Sequence, residues 1–270
     1  MKPSSYWVRS FRLLRLVLHL LQGVVLVLVA FPWVSTNTRL QIEHRWHRSL
    51  LNVLNIHIRI HGVAPDLSTH SMFVVANHIS WLDVYLLNAV RPVNFVSKAE
   101  VRSWPLIGWL AHKTGTLFID RTKRHDTARV NHQISSILHS GGCVAIFPEG
   151  TTSDGSTLRP FHASLLQPAV HCDCKIWPVA LRYTYNDGSL NSAPAYVDEM
   201  SFTDSLFMVL SQRVIYAETV FNTPISTHGK TRRELAREAE LAIAAALNFS
   251  MSKKVVQAEE ILTPELSTSI

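Results

Sequence analysis

Between Leu16 and Asn37 the chain carries no formally charged residue, and Leu16 to Val34 is dominated by leucine and valine. Nineteen residues at about 1.5 Å each make a helix of roughly 28 Å, close to the hydrocarbon thickness of a bilayer. Arg9, Arg12 and Arg15 stand just before this run, on one helix face. A basic start before an apolar stretch also describes a signal peptide. However, no small-x-small cleavage pattern follows, and the run exceeds a usual signal core. His19 and Gln22 interrupt the run, and the arginines make its first half amphipathic, so a helix lying in one leaflet competes with a full span. A buried helix of a soluble core is the third reading. Pro32 is expected to end the helix and Ser35 to Asn37 to form a turn with a cap. A second helix is expected over about 39–54, mixing Arg39, Arg45 and Arg48 with Leu40, Ile42, Trp46, Leu50, Leu51 and Leu54. Basic and apolar residues mixed in this way suit an interface. Both flanks of the apolar run are basic, so the positive-inside rule leaves topology open.

Charge repeats the division. Residues 1–61 hold eight Lys/Arg against the single acid Glu43, a net +7, whereas residues 62–270 hold 18 against 19, a net −1. A nucleic-acid binder carries its basic surface on the folded body. Here the body is neutral and the front end basic, which fits an anionic membrane surface and no nucleic acid. The 270 residues are 47% apolar and 17% charged, with a mean hydropathy of +0.12, which excludes a disordered or collagen-like chain. The expected organisation is residues 1–54 as membrane-associated helices, 55–250 as the main domain and 251–270 as a loose tail. Cys143, Cys172 and Cys174 are too few for a disulfide framework and imply a reducing compartment. Cys172 and Cys174 have no second pair of Cys or His at metal-ligand spacing, so no metal is expected.

In the body, Ile56, Ile58 and Ile60 alternate with His57, Arg59 and His61, the period of a half-exposed strand. Short apolar runs then read as buried strands: Met72 to Ala76, Val93 to Ser97, Thr116 to Ile119, Val144 to Phe147 and Ile176 to Leu181. Helical spacing separates them. Val130, Ile134, Ile137 and Leu138 share a face over 126–139, before Gly141-Gly142. A later charged amphipathic helix is expected over 231–247. Strands alternating with helices give an α/β fold, a largely parallel central sheet flanked by helices, behind an N-terminal membrane-docking helix pair.

Polar residues gather where open α/β sheets build their sites, at the carboxyl ends of the strands. After the second strand comes Asn77-His78-Ile79-Ser80-Trp81-Leu82-Asp83. On an unbroken helix, five residues put His78 and Asp83 about 140° apart. With His78 in a turn and Asp83 in the first helical turn, they meet. Asp83 would then accept the Nδ1 proton and leave Nε2 free as a base. A second strand end reads Gly115 to Arg121, and Arg121 is placed to take a phosphate bidentately, or else to pair with Asp120. A third reads Phe147-Pro148-Glu149-Gly150-Thr151-Thr152-Ser153, a tight turn whose amides and hydroxyls suit an anion, or else an ordinary polar turn. Pro178 inside Ile176-Trp177-Pro178-Val179 marks a strand start or an edge.

These segments, Asn-His-x-Ser-x-x-Asp, Gly-x-x-Phe-Ile-Asp-Arg, Phe-Pro-Glu-Gly-Thr and a strand with an internal Pro, resemble the four ordered blocks of the glycerolipid acyltransferases. Lys98-Ala99-Glu100 with Pro105 and Gly108 is similar to a further family segment. The best-known members are 1-acylglycerol-3-phosphate acyltransferases. The resemblance covers roughly residues 55–225. It implies transfer of an acyl group from acyl-CoA or acyl-carrier protein to the hydroxyl of a lysophospholipid acceptor, without a cofactor. His78 would be the general base and Asp83 its holder. Arg121 would hold the acceptor phosphate, and Glu149, Gly150 and Thr151 would position the glycerol moiety. Lys98, Ser80 and Pro178 would be further substrate contacts. The expected location is a bacterial inner membrane, with the catalytic domain on the cytoplasmic side.

Two departures bear on the acceptor. Thr152 and the stretch Phe161-His162-Ala163-Ser164 replace positions that are often cationic in the family. The expected acceptor is lysophosphatidic acid, giving phosphatidic acid, with a lyso-ornithine lipid as runner-up. A hydrolase would want an activated nucleophile, and the chain has no Gly-x-Ser-x-Gly elbow. A catalytically silent docking module would not need His78, Asp83, Arg121 and Glu149 together.

Overall fold

In the computed structural model, which describes residues 4–120, 123–197 and 200–248, the apolar run forms one continuous helical rod, Tyr6–Trp33. Its regular part, α1 (Tyr6–Val25), is capped by Ser5, whose hydroxyl accepts from the Val8 N–H. Leu26–Ala30 then widens into a π-type turn, and Phe31–Trp33 closes as a 3₁₀ turn. Pro32 offers no N–H to the preceding turn and its ring needs room there. The helix therefore widens ahead of Pro32 and runs one residue beyond it. Ser35 caps α2 (Thr36–Val53), which starts three residues before the expected Arg39.

Gly23 is where the two helices close on each other: a Cβ there would lie 3.0 Å from the Trp46 ring. Trp46 stacks on His19 and donates to the His19 carbonyl at 3.2 Å. The end of α2 belongs to the body, since Leu50, Leu51 and Leu54 are fully buried in the main core. The outer face of the rod, with Trp7, Leu18, Leu21, Leu28 and Val29, is exposed.

The remaining elements are β1 (Ile56–Gly62), β2 (Phe73–Ala76), α3 (Leu82–Asn88), β3 (Asn94–Lys98), α4 (Ile107–Lys113), β4 (Leu117–Ile119), α5 (Arg124–His139), β5 (Val144–Ile146), α6 (Gln167–His171), β6 (Ile176–Thr184), α7 (Phe202–Ser211), β7 (Ile215–Phe221) and α8 (Arg232–Leu247). The strands form one sheet in the order β1-β7-β6-β2-β5-β3-β4, with β6–β7 antiparallel and the other pairs parallel. This is the expected helix-flanked, largely parallel sheet. β2, Phe-Val-Val-Ala, is buried along its whole length at the centre, as a strand covered on both faces must be. One core, holding Leu50, Leu86 and Val209, joins α2, α3 and α7 to one face of the sheet. Val130, Ile134 and Leu138 of α5 and Leu235 and Ala239 of α8 cover the other.

Three details differ from the expectations. β7 was missed, although Ile215, Ala217, Thr219 and Phe221 alternate inward along it. β1 pairs only with β7 at the sheet edge, so its inward face fades and Ile60 is exposed. Pro178 lies in β6, between β7 and β2, and so not at an edge. It is nevertheless near the strand start, where register with β7 begins only at Val179. Its carbonyl accepts from the Asn222 N–H just past the end of β7, so its missing N–H falls beyond the ladder. The tail expected at 251–270 lies outside the described residues.

Candidate active site

β2 delivers the site. Its register between β5 and β6 stops at Ala76, and the chain turns through Asn77, His78 and Ile79 into α3. Asn77 is buried and bridges to β6: its amide donates to the Leu181 carbonyl at 3.0 Å and its oxygen accepts from the Leu181 N–H at 2.7 Å. That bridge fixes the turn. His78 then sits before α3 and Asp83 within its first turn, and the imidazole Nδ1 lies 2.8 Å from Asp83 Oδ2. The same oxygen accepts from the Ile79 and Ser80 N–H groups at 2.7 and 2.9 Å. The other, Oδ1, accepts from the Tyr183 hydroxyl at 2.7 Å. Asp83 is completely buried, and these donors together compensate its charge.

A carboxylate at Nδ1 sets that nitrogen as the proton carrier and leaves Nε2 as the acceptor, the form a base requires. The ring stacks flat on Phe147, with centroids 3.9 Å apart. His78 borders a cavity of about 530 Å³.

Glu149 has a different place from the one expected. It is buried, and its two oxygens accept from the His78 N–H at 2.7 Å and the Arg159 N–H at 2.9 Å. It ties the β5 turn to the β2 turn instead of facing the cavity. Burial pushes its carboxyl up to about 7, against the pull of the two N–H donors. The Ser153 N–H adds a second tie, donating to the His78 carbonyl at 2.8 Å. Gly150 and Thr151 do border the cavity, as does Thr152, whose hydroxyl donates to the Tyr196 carbonyl. Gly150 has φ +79, a conformation that favours glycine at this tight turn.

Of the further contacts expected, Lys98 at the end of β3 borders the cavity. Ser80 does not: it is fully buried, and its hydroxyl accepts from the Leu82 N–H at 3.2 Å, at the start of α3. Pro178 is buried within the sheet, away from the cavity lining. Arg121 lies outside the described residues. His162 is exposed, and its N–H donates to the Pro148 carbonyl at 2.9 Å.

Sequence reasoning missed Tyr183. It stands 100 residues from Asp83 on the far side of β2, and no local pattern links them. The cavity itself was also hidden. It runs from His78 and Phe147 past Phe95 and Trp104 to Leu20, Gly23 and Val27 of the N-terminal rod, and its lining is mostly apolar.

The His78–Asp83 pair thus borders a cavity whose lining is mostly apolar. A family model described as Acyltransferase matches residues 57–182. A lyso-ornithine lipid O-acyltransferase of Pseudomonas aeruginosa is 37% identical over 246 residues, covering 87% of this chain and 93% of that protein. The chain belongs to the acyltransferase family. A 1-acyl-sn-glycerol-3-phosphate acyltransferase of Neisseria meningitidis is 36% identical over 196 residues, covering 72% of this chain and 76% of that protein. The crystal structure of the 1-acyl-sn-glycerophosphate acyltransferase PlsC from Thermotoga maritima shares the fold, with a TM-score of 0.64 at 18% identity over 89% of this chain and 96% of that one.

Proposed function

We propose that the protein moves an acyl group from a thioester, acyl-CoA or acyl-carrier protein, to the free hydroxyl of a membrane lysolipid. The observation that carries this is the His78–Asp83 pair at 2.8 Å on the rim of the apolar cavity. His78 Nε2 takes the hydroxyl proton as the oxygen attacks the thioester carbonyl. The carbon–sulfur bond breaks, and His78 returns the proton to the thiolate. Asp83 keeps the imidazole in register throughout, and the acyl chain occupies the cavity. Glu149 acts as a positioning residue through the His78 backbone.

The sequence favours lysophosphatidic acid as acceptor, on the strength of Arg121. A specific observation favours the second reading, a lyso-ornithine lipid. Among the described lining residues, Lys98 at the end of β3 and Glu100 just after it offer charges of both signs, a pair that suits a zwitterionic head group better than a dianionic one. The relative aligned over 87% of the chain bears that name. We therefore take the lyso-ornithine lipid first and lysophosphatidic acid second.

The exposed face of α1 supports membrane association. Its opposite face is covered by α2, which carries Arg39, Arg45 and Arg48, so crossing the bilayer would drag these arginines into it. We place the rod within one leaflet of a bacterial inner membrane, with the body on the cytoplasmic side.

Thioester consumption by the full-length chain in anionic lipid nanodiscs, with and without lysolipid, is the test. Consumption only with lysolipid supports acyl transfer, consumption without it means hydrolysis, and no consumption leaves a docking module. Competing the two lysolipids for one labelled thioester decides the acceptor. If lysophosphatidic acid wins, Arg121→Ala should cost it about 1.5–3 kcal/mol.

A further inference from the structure

Where α2 packs on α3, four polar side chains border an otherwise apolar stretch of the cavity: Glu43, His47, Tyr85 and Asn88. Glu43 and His47 are one turn apart on α2, and Tyr85 and Asn88 one turn apart on α3. Their hydrogen bonding is unequal. His47 Nδ1 lies 2.7 Å from the Glu43 carbonyl, which makes it the donor and leaves Nε2 an acceptor. The Asn88 oxygen accepts from the Val93 N–H at 2.9 Å, so its amide N–H₂ points the other way, 3.4 Å from His47 Nε2. The Tyr85 hydroxyl and the Glu43 carboxyl make no hydrogen bond among the described residues, although the Tyr85 ring lies 5.7 Å from the His47 ring.

His47 and Asn88 are buried, and Glu43 and Tyr85 are half-buried against the cavity. Burial pushes the Tyr85 phenol up to about 12 and the Glu43 carboxyl up to about 7, and lowers His47 to about 4. Glu43 is also the one acid among the first 61 residues, and it borders a cavity meant for hydrocarbon. A plain alkyl chain lying there would leave donors and acceptors unpaired, which an apolar site does not tolerate without loss of affinity. A group that both donates and accepts would pair them.

We infer that this wall is a subsite for a hydroxyl group carried along the acyl chain, so that the enzyme prefers hydroxylated acyl donors to plain ones. The hydroxyl donates to Glu43 and accepts from Tyr85, while His47 Nε2 and the Asn88 amide satisfy each other behind them. It lies beyond the first carbons of the chain. From His78 the lining runs through Phe147, stacked on His78, and Phe95, 5.7 Å further between centroids, before it reaches Val93 and Asn88. This inference rests on the acyl-transfer reading for its substrate, and its test separates the two.

The full-length chain is offered two thioesters of equal length in competition, one plain and one with a mid-chain hydroxyl. The wild type should favour the hydroxylated donor by at least about tenfold in kcat/KM. Tyr85→Phe, which keeps the ring, and Tyr85→Phe with Glu43→Leu should bring the ratio toward one, losing rate on the hydroxylated donor and gaining it on the plain one. The corresponding free fatty acids, plain and hydroxylated, are titrated in parallel by tryptophan fluorescence, since Trp46 and Trp104 border the cavity. Tighter binding of the hydroxy acid, reduced by Tyr85→Phe, upholds the subsite even if neither thioester turns over, in which case acyl transfer is what fails. Equal or better use and binding of the plain chain by the wild type overturns the subsite and leaves acyl transfer standing.

Discussion

At the end of β2 a single carboxylate, Asp83, collects hydrogen bonds from an imidazole, two backbone amides and a phenol in a space closed to solvent. Elsewhere along the cavity lining, α1 lies on α2 through Leu16, His19 and Gly23 and turns Trp7 and a row of leucines and valines outward. The first region is over-determined by directional bonds, so small changes there act on chemistry. The second is held by packing on one face only, so changes on its open face act on where the protein resides. On the proposed function, the protein would thus separate what it does from where it does it.

The sharpest way to break this division is at His78. His78→Ala should lower kcat by about 10²–10⁴-fold with thermal unfolding almost unchanged. Near-normal turnover by the folded variant would remove the base from the mechanism. Asp83→Asn should fall short of that loss if Asp83 only holds the tautomer.

On the outer face, replacing Leu18, Leu21 and Leu28 by Glu together should reduce binding to anionic liposomes at least about 100-fold, since each buried leucine contributes about 1.5–3 kcal/mol. Turnover of a short-chain, water-soluble acceptor should survive. Liposome flotation reads the first effect; unchanged flotation would mean α1 is not the docking face.

A smaller effect is expected at Tyr183. Tyr183→Phe removes the donor to Asp83 Oδ1 and leaves more negative charge facing His78. The carboxylate is then held less firmly against the imidazole, so kcat should fall by about tenfold or less with KM unchanged. A purely structural role would lower the melting temperature and leave kcat of the folded variant in place.

The smallest concerns Glu149. Burial raises its carboxyl to about 7 in the folded protein, above the ordinary 4.5, so the native state binds more protons than the unfolded chain between those values. Its contribution to stability is therefore largest below about 4.5 and declines as pH rises to about 7, by about 3 kcal/mol at most. Glu149→Gln should flatten that decline in melting temperature relative to wild type. An unchanged slope would show that Glu149 is already ionised across this range.

Local pattern was enough for much of this. Short apolar runs announced β2 through β6, and Val130, Ile134 and Leu138 announced α5, because burial on one or both faces writes its period into the residues themselves. The charged amphipathic pattern over 231–247 announced α8 in the same way, and the structure adds a capping box of Thr231 with Glu234 at its start. The approach of His78 to Asp83 was legible too, since the spacing of five is satisfied by a turn followed by a helix start. β7 escaped because Glu218 and Thr219 make it look polar, and its inward side exists only against β6 and β1.

What only the tertiary structure decided is where side chains distant in sequence meet. Glu149 reads as a ligand contact in its turn, yet the approach of the β5 and β2 ends turns it into a brace for the His78 backbone. Tyr183 is one tyrosine among six until β6 lies beside β2. Glu43, His47, Tyr85 and Asn88 look like ordinary helix positions until α2 and α3 pack and leave a cavity between them and the apolar rod. Periodicity and capping are set by neighbours within a few residues, so they are carried by the sequence. Hydrogen bonds across tens of residues, and the space those contacts enclose, come into being only when the chain closes on itself.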